Sequence, residues 1–208
     1  EGGKQLSGDI TVNGSKNAAL PLLAATLLTT ETSVLSNIPG ITDVFSMVNI
    51  LRSGGADVKH DLNTVSVTPR LFDVNLIPRE IVGKLRGSIL LFGALLGRDR
   101  AAVLPLPGGD VIGARPIEVH LDAFRQMGVK VFQKEGLVKL EGSNIQPAKV
   151  VLREFSVTAT ENVMLAAASL DGISHIHVAA CEPHVTTLGN ALAAMGAKIT
   201  GLGTHDIT

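Results

Sequence analysis

The chain has 208 residues, of which 45% are hydrophobic and 3% aromatic, and its formal net charge at pH 7 is −1. This length and apolar content allow a buried core, whereas the near-neutral charge argues against a broad binding surface for nucleic acid or an anionic membrane. The single cysteine, Cys181, excludes an intrachain disulfide framework. With no targeting signal and no membrane-length apolar run apparent, we expect a soluble, cytoplasmic protein that binds any anionic ligand locally.

The first predicted unit opens with a helix at residues 17–28, which is rich in Ala and Leu on nearly every face and is therefore expected to be enclosed by protein. A β-like run at residues 33–38 follows it. An alternating run at residues 64–68 predicts a closing strand. Between these runs an amphipathic helix is predicted by four apolar residues at i, i+3, i+4 and i+7 spacing: Val44, Met47, Val48 and Leu51.

The second predicted unit repeats this order. An enclosed helix is predicted at residues 88–96, a β-like run at residues 101–106 and a closing strand at residues 137–141. Pro116 suits the first turn of the intervening amphipathic helix, because a helix leaves that backbone amide without an internal acceptor. The apolar stripe of this helix consists of Ile117, Leu121 and Phe124.

The third predicted unit has an enclosed helix at residues 162–170 and a β-like run at residues 173–178. Pro183 suits the first turn of its amphipathic helix. The apolar stripe of that helix consists of Leu188, Ala191, Leu192 and Met195.

A short glycine motif recurs after each amphipathic helix: Gly-Gly-Ala-Asp-Val from Gly54, Met-Gly-Val-Lys-Val from Met127 and Met-Gly-Ala-Lys-Ile from Met195. The aligned glycines, Gly55, Gly128 and Gly196, suit the position just beyond a helix end. Their spacing of roughly 70 residues predicts three copies of one β-α-β-α-β-β unit. We therefore expect one α/β domain in which the enclosed helices pack at the centre and the sheets and amphipathic helices surround them.

Two cationic motifs precede the first two enclosed helices. In Gly14-Ser15-Lys16-Asn17 the lysine lies where free backbone amides and the helix dipole favour an anion. Lys84-Leu85-Arg86-Gly87-Ser88 occupies the equivalent position in the second unit, so the repeat is expected to bring Arg86 to the same end of the domain as Lys16. The alternative is a set of solvated surface charges. Neither motif is a P-loop.

Residues 107–116 form the strongest local signal, because three glycines, an acid and a cation share one segment. Arg115 could clamp a phosphate, and Asp110 could transfer a proton if desolvation raised its pKa. The alternative is a plain glycine-rich turn.

Several other polar residues have structural interpretations. His175 and His177 alternate on one strand face, but the sequence offers no third metal ligand, so no metal site is predicted. Cys181 is expected to be a small packed residue and not a nucleophile. His120 is expected to pack or cap, and its role is left open.

Four of these segments together resemble UDP-N-acetylglucosamine enolpyruvyl transferases: Gly14-Ser15-Lys16-Asn17-Ala18-Ala19-Leu20-Pro21, Leu85-Arg86-Gly87-Ser88, residues 107–116 and Glu182-Pro183. The resemblance covers nearly the whole chain. It implies a fold of two similar domains, each an inside-out α/β barrel of three β-α-β-α-β-β repeats, with the active site in the cleft between them.

Because members of that family are about twice as long, the resemblance implies that residues 16–208 are one three-repeat domain. Residues 1–15 would be an opening strand region that crosses to a second domain. That second domain is absent from this sequence, and we expect truncation to be the reason.

The resemblance also assigns roles to individual residues. Phosphoenolpyruvate would be held by Lys16, Arg86 and Arg115. Catalysis would fall to Asp110, Lys16 and Arg115. Asn17 would contact the amino sugar, the uridine would be bordered by Arg115, Pro116, Ile117 and Glu118, and the diphosphate would lie near a loop that contains Ser156 and Thr158. The sequence departs from the family pattern at three positions: Glu118 is usually Asp, Thr158 is often Gly, and Asp110 replaces the reactive cysteine of many members, although an aspartate variant exists.

The implied reaction transfers the enolpyruvyl group of phosphoenolpyruvate to the 3-hydroxyl of UDP-N-acetylglucosamine and releases phosphate, without metal or organic cofactor. This reaction is the first committed step of peptidoglycan synthesis. We expect the chain by itself to be inactive, and the complete enzyme to resist the epoxide antibiotic fosfomycin.

Three alternatives remain open at this point. A shikimate-pathway enolpyruvyl transferase would share the fold, but its usual Lys-Ser motif is replaced by Lys16-Asn17. A relative of RNA 3′-phosphate cyclase that binds RNA ends is weakly suggested by residues 1–5, against the near-neutral charge. A non-catalytic oligomerisation module is the third.

Overall fold

The computed structural model describes residues 2–108 and 116–208. Its helices are α1 (Lys16–Ala25), α2 (Thr42–Ser53), α3 (Arg79–Lys84), α4 (Leu90–Asp99), α5 (Glu118–Gln126), α6 (Val157–Ala167) and α7 (Pro183–Ala194). Short 3-10 turns occupy Thr26–Leu28, Val74–Leu76 and Arg86–Ile89. The strands are β1 (Ser33–Leu35), β2 (Asp57–Asp61), β3 (Thr64–Thr68), β4 (Ala101–Pro105), β5 (Lys130–Lys134), β6 (Leu137–Glu141), β7 (Lys149–Val151), β8 (His175–His177) and β9 (Asp206–Ile207).

The strands form three separate three-stranded sheets. The first two sheets have the same antiparallel order, β1-β3-β2 and β4-β6-β5. In the third, β9 pairs antiparallel with β8 as β3 does with β1, while β7 pairs parallel with the other side of β8. The predicted threefold repeat is therefore confirmed in the strand pairing as well as in the helix order.

The three outer helices, α2, α5 and α7, end in the same way. Gly55, Gly128 and Gly196 follow them with positive φ angles of 92°, 87° and 111°. The amide of the next residue then donates to a carbonyl five residues back in each case: Ala56 to Leu51, Val129 to Phe124 and Ala197 to Leu192. This is the hydrogen bond of a Schellman cap, which requires a residue without steric cost in the left-handed region. The predicted role of the aligned glycines is confirmed.

The inner helices, α1, α4 and α6, form the centre of the domain, as their apolar faces predict. α4 packs against both α1 and α6, and residues 90–97 of α4 are all buried. α4 approaches α6 closely at Gly93, where an added Cβ would lie 2.4 Å from the backbone oxygen of Asn162. Small residues thus set the spacing of the inner helices.

The starts of α5 and α6 differ from the expectations. α6 begins at Val157, five residues before the predicted start, because Ser156 caps it and its polar first turns are helical. α5 begins at Glu118, so Pro116 lies before the helix instead of in its first turn, whereas Pro183 is the first residue of α7 as predicted.

The opening strand of the predicted unit is also present only once among the described residues. β7 supplies it in the third unit. Residues 2–14 contain no helix or strand, and residues 72–78 contain a 3-10 turn instead of a strand. Leu6, Ile10 and Val12 are more than four-fifths exposed in the first of these segments, so they bury little apolar surface against this domain.

Candidate functional site

A pocket of about 650 Å³ lies where the first residues of α1, α2, α6 and α7 meet the turn between α3 and α4. Its lining residues are Lys16, Asn17, Leu20, Pro21, Asp43, Lys84, Leu85, Arg86, Gly87, Leu90, Val157, Thr158, Glu161, Glu182 and His184. Helix starts carry unpaired backbone amides and a partial positive charge, so their convergence favours an anionic ligand.

Three cationic side chains line the pocket: Lys16, Lys84 and Arg86. Lys16 begins α1, and its Nζ atom donates to Oδ2 of Asp43 at 2.8 Å. The two side chains are 48% and 39% exposed, and an ion pair in such a setting contributes only ~0–1 kcal/mol. Lys16 can therefore exchange Asp43 for a ligand anion at little cost.

Arg86 connects the pocket to the chain that follows the glycine-rich segment. Its guanidinium donates to the backbone carbonyl of Pro116 at 3.4 Å. Beyond Pro116, the side chain of Ile117 is buried in the core. Glu118 instead contacts Arg125 at 3.4 Å and Gln133 at 3.3 Å, and it does not line the pocket.

α6 brings neutral and acidic side chains to the same pocket. Ser156 caps the helix, since its Oγ accepts from the amide of Ala159 at 3.4 Å. Thr158 is the second residue of the helix and lines the pocket. Both residues were expected on a loop. For Thr158 this expectation is wrong, because the helix starts earlier than its apolar run suggests, whereas Ser156 lies just before the helix as its cap.

His120 ties α5 to this part of α6. Its side chain is buried, and its Nε2 atom shares a hydrogen bond of 2.8 Å with the hydroxyl of Thr158. Burial lowers the pKa of His120 to about 4, and the positive charge of Arg86 acts in the same direction. The imidazole is therefore neutral at pH 7 and fixes the position of the Thr158 hydroxyl.

Glu161 is a pocket residue that the sequence interpretation missed. It is 1% exposed and lines the pocket, and its Oε1 atom has no hydrogen-bond partner among the described residues. Burial, followed by the negative charge of Glu182, raises the pKa of Glu161 to about 8. Its carboxyl group is accordingly protonated at pH 7. The available signal was an acid within a helix that is enclosed on all sides.

The buried polar neighbours of Glu161 have partners. Thr160 donates to the carbonyl of Ser156 at 2.8 Å and accepts from the amide of Ala180 at 2.9 Å. Asn162 accepts from the amide of Gly93 at 2.7 Å. These hydrogen bonds hold the first turns of α6 against the rest of the domain, so the position of Glu161 is fixed by its neighbours.

Comparisons with known proteins agree with this fold. A family model described as EPSP synthase (3-phosphoshikimate 1-carboxyvinyltransferase) matches residues 1–208. The chain belongs to the EPSP synthase family. Among solved structures of similar fold, the enolpyruvyl transferase NikO from Streptomyces tendae has a TM-score of 0.83 at 24% identity, over 99% of this chain and 48% of that chain. An EPSP synthase from Acinetobacter baumannii has a TM-score of 0.73 at 18% identity, over 96% and 46%. The expected inside-out α/β fold class is thereby confirmed.

Within the family, the chain is similar to curated proteins named UDP-N-acetylglucosamine 1-carboxyvinyltransferase, which confirms the resemblance inferred from the motifs. The protein from Dichelobacter nodosus (strain VCS1703A) is 40% identical over 208 residues, which are 100% of this chain and 50% of the relative. The protein from Bradyrhizobium diazoefficiens is 43% identical over 206 residues, or 99% and 48%. The chain thus spans about half the length of these curated relatives.

Of the residues to which the family resemblance assigns roles, four line the pocket: Lys16, Asn17, Arg86 and Thr158. Pro116 reaches it only through its carbonyl contact with Arg86. Ser156, Ile117 and Glu118 do not line it. Asp110 and Arg115 lie outside the described residues.

Three further residues from the sequence analysis, His175, His177 and Cys181, lie away from this pocket. His175 contacts the hydroxyl of Thr208, and His177 contacts the carboxylate of Asp206, so both histidines have polar partners near or on β9. Cys181 is exposed. The expectation that it is packed is wrong, because it lies between β8 and α7 on the outside of the domain.

Among the described residues, no helix is both long and apolar enough to cross a membrane.

Proposed function

We propose that this chain forms one half of a UDP-N-acetylglucosamine enolpyruvyl transferase and contributes an anion pocket to its active site. One observation carries the proposal: Lys16, Lys84 and Arg86 converge with several helix starts on a single pocket. The 40–43% identity to curated proteins of that name supports the choice of substrates.

In this proposal the pocket holds the phosphate and carboxylate of phosphoenolpyruvate through Lys16 and Arg86, and Arg115 joins them from the glycine-rich segment. Asn17 contacts the amino sugar, and Asp110 exchanges a proton with the methylene carbon of the enolpyruvyl group. Positive charges that are fixed before the reaction stabilise the charge that develops on the tetrahedral intermediate. Lys16 and Arg115 are thus catalytic as well as binding groups, and the reaction uses no cofactor.

The nucleotide part of the substrate would follow the start of α5 and α6. Pro116, Ile117 and Glu118 border the uridine, and Ser156 and Thr158 lie near the diphosphate. Because Ser156 and Thr158 belong to the first turn of α6, the diphosphate would approach a helix start.

Residues 16–208 would act as one domain, and the rest of the cleft would come from a region equivalent to the other half of the curated relatives. Residues 1–15 would cross to that region. The chain by itself should therefore bind substrate weakly and not turn over. The complete protein would act in the cytoplasm at the first committed step of peptidoglycan synthesis, and thereby support cell shape and division.

Calorimetric titration of the chain tests the proposed substrate class. UDP-N-acetylglucosamine should bind, whereas shikimate 3-phosphate and an RNA oligonucleotide with a 3′-phosphate should not. Phosphate release from phosphoenolpyruvate and UDP-N-acetylglucosamine should be absent with the chain alone and reach roughly 1 s⁻¹ when a polypeptide equivalent to the other half is added. Turnover at that rate by the chain alone would disprove the half-site proposal.

A shikimate-pathway enolpyruvyl transferase is the second candidate, because the matching family model and a solved structure carry that name. Binding of shikimate 3-phosphate without UDP-N-acetylglucosamine would favour it. The identity to that solved structure is 18%, far below the identity to the UDP-N-acetylglucosamine enzymes, and for this reason it ranks second.

The proposal also includes resistance of the complete enzyme to fosfomycin. A carboxylate at position 110 is a much poorer nucleophile toward an epoxide than a thiolate. In the reconstituted enzyme Asp110→Asn should lose most activity, while Asp110→Cys should remain active and become inactivated with time by fosfomycin. A covalent mass increase that inactivates the original enzyme would contradict this, and Cys181→Ser controls for alkylation of the sole, exposed thiol.

A further inference from the structure

We propose that the carboxyl group of Glu161 contacts the anionic ligand of the pocket as a hydrogen-bond donor, and that loss of its proton weakens anion binding. This inference rests on the proposed function only for the natural identity of the ligand. It adds a binding residue and a pH response to that site.

The geometry leaves Glu161 few other roles. The side chain is almost fully buried, yet it lines a pocket that opens to solvent, and its Oε1 atom has no partner within the described residues. A buried polar group without a hydrogen bond costs about 1–3 kcal/mol. That cost is removed if a ligand atom occupies the pocket and accepts the missing hydrogen bond.

The charges around the pocket determine which ligand suits this donor. Several elements around the pocket contribute titratable or charged side chains: Lys16 from α1, Asp43 from α2, Lys84 from α3, Arg86 from the following turn, and Glu182 and His184 at the start of α7. Counting lysine, arginine and carboxylate groups, three cations face two carboxylates apart from Glu161. A protonated Glu161 therefore leaves a net positive pocket, and an ionised one removes that excess.

An anionic oxygen can accept a hydrogen bond from a neutral carboxyl group but is repelled by a carboxylate. Since burial and Glu182 raise the pKa of Glu161 to about 8, the change between these two states falls just above neutral pH. Ligand affinity should accordingly decrease as the pH rises through this value.

Sulfate is a suitable probe, because it remains a dianion throughout this pH range. With a tenfold preference of sulfate for the protonated state and a pKa of about 8, the 208-residue chain should bind sulfate about fivefold more weakly at pH 9 than at pH 7, beyond any change seen in Glu161→Gln. The Gln variant keeps a neutral donor and so should retain its affinity at pH 9. Glu135→Gln, at an exposed turn, is the matched control and should follow the original chain.

Carbon-13 NMR of the Glu161 carboxyl group supplies a second readout that does not depend on a variant. By thermodynamic reciprocity, a tenfold preference of sulfate for the protonated state requires saturating sulfate to raise the titration midpoint by about one pH unit. An unchanged midpoint overturns the proposal, as does a Glu161→Gln pH profile identical to that of the original chain, or an absence of sulfate binding at pH 7.

The same titrations with UDP-N-acetylglucosamine separate this inference from the proposed function. Linkage between sulfate and Glu161 without binding of the sugar nucleotide would refute the substrate assignment and leave the role of Glu161 intact. Binding of the sugar nucleotide without linkage between sulfate and Glu161 would refute the role of Glu161 and leave the substrate assignment intact.

Discussion

The first and third units of this domain bring the same structural element to one pocket but supply opposite chemistry. α1 starts with Lys16, an exposed cation in a weak ion pair. α6 presents Thr158 and Glu161, of which the acid is buried and unpaired among the described residues. The repeated backbone therefore creates a convergent set of helix starts, and the side chains that break the repeat decide what the site binds.

The α1 and α6 sides of the pocket also differ in how far their charged or acidic side chains are removed from water. The Lys16 pair lies partly in water, where charges are screened and contribute little to stability. Glu161 is removed from water, so its protonation state depends on the folded structure. Substitutions should therefore alter stability on the α6 side and mainly binding or activity on the α1 side.

The largest expected effect on stability is that of Glu161→Gln. The folded-state pKa of about 8 lies above the ordinary value of 4.5, so the unfolded chain releases this proton first as the pH rises. The loss of stability from burying the ionised Glu161 carboxylate is absent below about pH 4.5 and complete above about pH 8. Urea unfolding should show the Gln variant more stable by on the order of 4 kcal/mol at pH 9 and nearly unchanged at pH 4. A pH-independent difference would contradict the burial argument.

Removal of either pocket cation should mainly affect activity. In the reconstituted enzyme, Lys16→Ala and Arg86→Ala should each lower kcat/KM for phosphoenolpyruvate by about 10²-fold, because positive charge at the reacting phosphate is lost. The double variant should lose less than the product of the two single effects, since both groups act on one ligand. Lys59→Ala, on the exposed face of β2, is the control. Normal kinetics in both single variants would show that the anion site is elsewhere.

Gly93→Ala tests whether the close approach of α4 and α6 supports the buried side of the pocket. The new methyl group would lie 2.4 Å from the backbone oxygen of Asn162 and 2.7 Å from its side-chain oxygen. We expect a loss of about 2 kcal/mol in the free energy of unfolding. Gly83→Ala is the matched control, since no atom lies within 4 Å of its added Cβ and alanine favours a helix. Equal effects at both positions would argue against a specific contact.

The smallest effect is expected for Thr158→Val, which keeps the side-chain shape and removes the hydroxyl that bonds His120. Stability at pH 7 should fall by about 1 kcal/mol, because a buried imidazole nitrogen loses its partner. Thr187→Val removes an exposed hydroxyl bond in α7 and should cost less. A larger loss at Thr187 would mean that the His120 contact does not organise α6.

Much of the fold follows from local patterns in the sequence. The Ala- and Leu-rich runs predict enclosed helices, and Gly55, Gly128 and Gly196 mark equivalent helix ends because only glycine adopts the left-handed cap without strain. The start of α6, and the absence of opening strands in the described residues of the first two units, were not predictable in this way. Polar residues such as Thr158 and Thr160 look unsuited to an enclosed helix until their hydrogen-bond partners are known.

The residues of the candidate site likewise include some that local sequence patterns predict and others that depend on tertiary contacts. Lys16 and Arg86 could be predicted, since a cation before an apolar helix carries its own local signal and the repeat relates the two. The pairing of Lys16 with Asp43, the bond between His120 and Thr158, and the contribution of Lys84 depend on residues that lie far apart in the chain. Contacts of that kind are set by how the helices pack.

The sequence by itself thus determined the threefold repeat, the inner and outer helices and the cations at two helix starts, because each of these depends on neighbouring residues and their spacing. Only the tertiary structure decided that Glu161 lines the pocket and that His120 remains neutral at pH 7. Both outcomes depend on removal of a side chain from water by distant parts of the chain, and the cost of burying a charge then sets its protonation state.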